Sequence, residues 1–192
     1  MPPLTRNALV LRYLVDQAPG IGRVKLAKFA YLADLEARRY LGKPITGFRY
    51  VYDQHGPFDA KPFYAALDEL TDQGFVTTSQ VPCGPYVGYE IRPTARVVEY
   101  DFDLAESEVL SFVARTYLTT DARELCEDVV YQTPPMQEAK PGKPLPMERM
   151  NRKIGDGHAF DLHRMLAGEA SAEAGRTRPL GDALDELRDR HH

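Results

Sequence analysis

Val24–Val76, VKLAKFAYLADLEARRYLGKPITGFRYVYDQHGPFDAKPFYAALDELTDQGFV, joins a largely apolar helix, a short aromatic strand, a His55-Gly56-Pro57-Phe58 turn and a second helix stopping at Gly74. The first helix of this stretch begins after Gly22 and ends near Gly42, where a glycine serves as C-terminal cap. Leu26, Phe29, Ala30, Ala33 and Ala37 recur at helical spacing on one side, and Tyr31 and Leu35 widen that apolar surface. Lys25, Lys28, Glu36 and Arg39, with Leu32 among them, share the opposite side, which reads as a solvated charged stripe on the central helix of the domain. Asp34 and Arg38 sit at the i, i+4 spacing of a helix ion pair.

The aromatic and β-branched run Phe48–Tyr52 predicts a strand, and Gly56-Pro57 turns the chain. Asp59 is placed to cap the next helix, Ala60–Gln73, and Pro62 is tolerated in its first turn, where the backbone N–H has no acceptor to lose. Phe63, Tyr64, Leu67 and Leu70 make its expected buried face.

Upstream, Thr5–Asp16 predicts a helix with Leu9, Leu11, Tyr13 and Leu14 as its apolar load, closed by Pro19-Gly20. Downstream, Phe75–Val81 and Tyr86–Arg92 flank Pro82-Cys83-Gly84-Pro85 and predict a hairpin. Three helices followed by a hairpin is the order of a winged helix. Beyond Asp101, Asp103-Leu-Ala-Glu106 and Asp121-Ala-Arg-Glu124 each place a capping carboxylate three residues before a Glu, so two further amphipathic helices extend the core. Val109, Leu110, Phe112, Val113 and Tyr117 load the first, and Leu125, Cys126, Val129 and Val130 the second. Five prolines between Gln132 and Met150 then exclude regular structure over most of that run, which is either an ordered strap or a linker. A short helix over His158–Leu166, a polar flexible stretch over Gly168–Arg178 and an apolar stripe of Leu180, Ala183, Leu184 and Leu187 complete the reading. The expected class is mainly α with a small β element: a winged-helix-like N-terminal core (4–99), a helical extension (100–140), and a proline-rich strap, short helix and tail (141–192).

The 192 residues, 43% of them hydrophobic, suffice for one domain with a true core. The net charge of −4 hides an asymmetry, with 12 Lys and Arg against 10 Asp and Glu up to residue 99, then 12 against 18. Two cysteines make no disulfide framework, and neither a membrane span nor a secretion signal is recognisable, so the expected compartment is the reducing cytoplasm.

Chemistry finds few footholds. The basic residues Arg23, Lys25, Lys28, Arg38, Arg39 and Lys43 could hold phosphates, but Asp34 and Glu36 among them favour an ordinary solvated face. The third helix carries Lys61 against Asp68, Glu69 and Asp72, and the wing tip Val81–Tyr86 has no positive charge, which argues against DNA as partner. His158, Asp161 and His163 lack the further ligands of a metal site. Asp53 and His55 are not completed by a Ser or Cys nucleophile. Gly20-Ile21-Gly22 lacks the spacing of a phosphate loop, Cys126 reads as a small core residue, and Cys83 has no basic neighbour. No enzyme is expected, and no cofactor.

Lys25-Leu26-Ala27-Lys28-Phe29-Ala30-Tyr31, then Gly42, Phe48–Tyr52 and Gly56-Pro57, resemble in order and type the Panacea domain of the SocA-like antitoxins, over residues 4–140. The resemblance implies a non-enzymatic antitoxin that binds a toxin encoded beside it, and in one branch acts as an adaptor to a Clp-type protease. It places partner binding at Lys25, Lys28, Tyr31, Arg39, His55, Gly56 and Pro57. Where that family shows a His and a Pro-Trp pair, this chain has Val129–Met136 with Pro134, Pro135 and Met136 and no tryptophan anywhere. A winged-helix transcriptional regulator is the alternative expectation.

Overall fold

The computed structural model describes residues 2–150, which are mainly helical with a small antiparallel β component. Helix α1 (Arg6–Gln17) starts at Thr5, whose hydroxyl accepts from the Ala8 N–H at 3.3 Å. It buries Ala8, Val10, Leu11, Leu14 and Val15, whereas Leu9 and Tyr13 are only half-buried. The two-residue strand β1 (Ile21–Gly22) leads into α2 (Arg23–Leu41), which ends at left-handed Gly42. α2 is the central helix, as its apolar content requires, but its second side is not the solvated stripe its charges suggest. Lys28 and Leu32 are each 2% exposed, because later parts of the chain cover them.

Strands β2 (Val51–Asp53) and β3 (Gly56–Phe58) form an antiparallel hairpin with Val51 opposite Phe58 and Asp53 opposite Gly56. The turn is therefore Gln54–His55, and Gly56-Pro57 belongs to a strand rather than to the bend. Ladder pairing begins only at Val51; Phe48 and Tyr50 precede it as buried aromatics, with rings 6.0 Å apart. Helix α3 (Ala60–Asp72) follows. Asp59 stands at its start but caps nothing, since its carboxylate accepts instead from the Arg49 N–H at 2.7 Å. Ala66 takes the buried place expected for Tyr64, which stays 43% exposed.

Strands β4 (Val76–Cys83) and β5 (Tyr86–Pro93) make the expected hairpin. β1 adds to its far side, giving the sheet order β1-β5-β4. A two-residue strand leaves no periodicity in sequence, which is why β1 was not anticipated.

Helix α4 (Leu104–Tyr117) has the full capping box between Asp103 and Glu106. The next expected helix is broken. Asp121 accepts from the N–H groups of Arg123 and Glu124, but α5 (Ala122–Glu124) passes at once into a π turn (Leu125–Val129) and a 3-10 turn (Val130–Gln132). The wider turn bonds the Val130 N–H to the Leu125 carbonyl five residues back. That spacing directs both Leu125 and Val130 into the core, where each is fully buried; Cys126 and Val129 remain half-buried.

Helix α6 (Pro134–Glu138) opens on proline, whose missing N–H costs nothing there, and buries Met136. Of the two readings of the proline-rich run, the ordered strap holds through Met150. Gly142 N–H donates to the Tyr52 carbonyl at 2.8 Å, Tyr52 N–H to Lys143 at 2.9 Å and Leu145 N–H to Tyr50 at 2.9 Å, so the strap lies along β2. A 3-10 turn (Met147–Met150) follows. The expected helix at 158–166, the tail stretches at 168–178 and 180–187, and His158, Asp161 and His163 lie outside the described residues. Among the described residues no helix is long and apolar enough to cross a membrane.

Candidate functional site

The β2–β3 hairpin is seated on α2 and on the irregular turn after α5. Lys28 is the strut: its Nζ donates to the Pro57 carbonyl at 3.2 Å from a nearly closed environment. Burial holds its amine below the usual lysine range, and Cys126 and Asp53 partly offset this. Gly56 sits at φ 90°, a backbone conformation that L side chains rarely adopt, and a Cβ there would crowd Lys28 Nζ at 3.0 Å and Cys126 Sγ at 3.2 Å. Cys126 Sγ donates to the His55 carbonyl at 3.5 Å, and the Tyr131 hydroxyl to the Gln54 carbonyl at 3.4 Å. Cys126 is thus a partner of the hairpin tip rather than a core filler. Asp53 accepts from the backbone N–H of His55 at 3.3 Å, so the carboxylate fixes the turn through the backbone rather than orienting the ring.

Four of the seven residues expected at a binding site therefore meet: Lys28, His55, Gly56 and Pro57. Among them only His55 is exposed. Tyr31, one turn along α2, is fully buried. Its ring meets Tyr50 edge-on at 5.2 Å, and its hydroxyl donates to Thr133 Oγ1 at 2.6 Å, the Thr133 proton being committed to the Val130 carbonyl. Burial pushes the Tyr31 phenol up to about 12. Lys25 and Arg39 lie elsewhere. Lys25 Nζ donates to the Leu118 carbonyl at 2.6 Å, and Arg39 pairs with Glu36 at 3.0 Å.

Asp34 also departs from its expected place on a solvated face. It is 1% exposed and accepts from the N–H groups of Ile45 and Thr46 and from the Tyr50 hydroxyl, each at 2.8 Å, and from the Thr46 hydroxyl. Burial pushes its carboxyl up and these four bonds pull it back. Asp34 thereby ties the loop before β2 to the central helix.

The basic residues do not gather into a phosphate cradle: Lys28 is buried, Lys25 and Arg39 are engaged as above, and Lys43 approaches Glu106 at 3.8 Å. Arg23 differs from these. Its guanidinium lies 3.6 Å from the Tyr89 ring centre and 5.9 Å from that of Tyr64. It borders a cleft of about 130 Å³ between the start of α2, the β2–β3 hairpin and α3. Sequence reading missed this group because Arg23, Tyr64 and Tyr89 come from three elements and share no spacing. Among the described residues no three His, Cys, Asp or Glu come together as a metal would require.

No protein-family model, curated protein or solved structure matches this chain.

Proposed function

We propose that this protein is an antitoxin that neutralises a toxin encoded beside it by direct protein–protein binding, on a winged-helix-like core. The observation that carries the reading is the meeting of the residues on which the Panacea resemblance rests. Lys28 and Pro57, far apart in the chain, share a hydrogen bond, and Gly56 beside it holds the left-handed backbone that favours glycine. The helix-strand-helix-helix-hairpin order, with β1 beside β5, supports the winged-helix part. The β2–β3 hairpin is an addition between its second and third helices.

A transcriptional regulator is the second reading, favoured by that same order. Against it, the exposed side of α3 carries Lys61 with Asp68 and Asp72, and the tip of the β4–β5 hairpin presents Pro82, Pro85, Tyr86 and Val87. A polyanion would meet more carboxylates than ammonium groups there. Exposed aromatic and apolar side chains suit a protein partner better.

The test is growth of bacteria expressing the adjacent gene with and without this chain, followed by co-purification. Relief of toxicity together with a stable complex is the expected result. A harmless neighbour that does not bind removes the antitoxin reading, and duplex DNA binding that weakens steeply with salt replaces it by the regulator. Loss of the toxin that depends on a Clp-type protease would identify this chain as an adaptor; a stable, merely sequestered toxin would exclude that role.

A further inference from the structure

We propose that the cleft at the start of α2 is a docking site for a protein segment that presents a carboxylate beside one aromatic or branched aliphatic side chain. This rests on the protein-binding reading above and names the chemistry of the segment bound.

Arg23 supplies the polar half. Stacking on Tyr89 holds its guanidinium, yet it makes no hydrogen bond or ion pair with any described residue, and its Nε is buried without an acceptor. A stacked guanidinium keeps a planar fork of donors that matches two carboxylate oxygens at once. An uncommitted donor set bordering a cleft is open to an acceptor that none of the described residues supplies.

The apolar half is the cleft wall, formed by Val24, Ala27, Phe58 and Phe63. Its volume of about 130 Å³ is close to the roughly 150 Å³ of a cavity that accepts a benzene ring. One ring or one branched side chain fits. Val24, 49% exposed, and Tyr64, 43% exposed, give it an apolar rim.

Charge selects the partner. Arg23, Lys28 and His55 border the cleft with Asp53, one of whose oxygens already accepts from the His55 N–H. α2 begins without a capping side chain and without an acidic residue in its first turn, so the helix itself does not offset the positive end of its dipole. The site is cationic but shallow in charge and rich in rings. Asp53 repels any anion there, but a singly charged carboxylate less than a phosphate of higher charge, so the site suits a single carboxylate with an apolar neighbour.

The test uses the full-length protein and three probes: 3-phenylpropionate, its uncharged amide and inorganic phosphate, followed by backbone amide shifts in two-dimensional NMR. The carboxylate is expected to shift Arg23, Val24, Ala27 and Tyr64, and the amide to bind at least about tenfold more weakly. Arg23→Gln should lose the difference between acid and amide, and Arg23→Lys, which keeps the charge but not the fork, should recover only part of it. Both variants are first checked for an unchanged circular dichroism spectrum; Tyr89→Leu, which frees the guanidinium, gives a second measure should Arg23→Gln not fold. No shifts at the cleft, equal binding of acid and amide, persistence of the difference in Arg23→Gln, or tighter binding of phosphate would each overturn the assignment. A harmless adjacent gene product would remove the antitoxin reading while leaving these outcomes unchanged.

Discussion

Two hairpins in this protein carry the same dipeptide in opposite circumstances. Gly56-Pro57 in β3 and Gly84-Pro85 at the β4–β5 bend both have glycine at positive φ, 90° and 57°. Around Gly56 the hairpin is closed against Lys28, Cys126 and Tyr131. Around Gly84 none of the described residues lies within 4 Å of where a Cβ would stand, and Tyr86 close by is 77% exposed. One glycine is needed for its backbone and for its neighbours, the other for its backbone alone. The difference separates a hairpin packed into the core from one whose tip no described residue covers.

The largest test of that contrast is alanine at each glycine. Gly56→Ala adds crowding of a buried lysine to the cost of a left-handed residue, and should destabilise by about 3–4 kcal/mol. Gly84→Ala should cost about 1 kcal/mol, the backbone term alone. Urea unfolding of both variants measures this, and equal losses would break the distinction.

The closed region should also show its burial in alkaline solution. Because the folded pKa of Tyr31 lies above the free value of 10.0, at about 12, the folded state keeps a proton that the unfolded chain releases. The stability linked to that proton is fully present below pH 10 and is lost as pH rises toward 12, by about 3 kcal/mol. Tyr31→Phe should be less stable near neutrality, having lost the bond to Thr133, and should fall less steeply between pH 10 and 12. Parallel slopes for the two proteins in urea titrations would show that Tyr31 does not contribute.

The smallest effect belongs to the open hairpin. Tyr86→Ser, at a site with little to lose on unfolding, should change stability by less than about 0.5 kcal/mol. A larger loss would mean that the tip is packed against something. If it weakens the proposed binding of the adjacent gene's product while leaving the melting temperature unchanged, the open hairpin becomes part of the interface.

Much of the fold was legible because it is local. Gly42 and Gly74 end their helices where glycine relieves a left-handed residue, Asp103 and Glu106 close a capping box, and Val76–Pro93 forms the hairpin its turn residues require. The misreadings share a different origin. Asp59 has the type and position of a helix cap, but Arg49 offers its carboxylate another donor. Lys28 and Asp34 have the charge of surface residues, but the hairpin and the loop at 45–50 close over them. The π turn at Leu125–Val129 breaks a helix whose sequence is unexceptional, because it brings Leu125 and Val130 into the core together.

The candidate site follows the same division. The motif that marks α2 and Gly56-Pro57 can be read from the chain, while its role as an internal strut cannot. By itself the sequence determined the order of the four longer helices and the β4–β5 hairpin, most of their ends and the apolar centre of α2, since periodicity, caps and turns act over a few residues. Only the tertiary structure decided which charges are enclosed, which glycine is confined and that Arg23, Tyr64 and Tyr89 share one place. Those outcomes depend on contacts between distant segments, and a side chain's burial is set by what the rest of the chain lays over it.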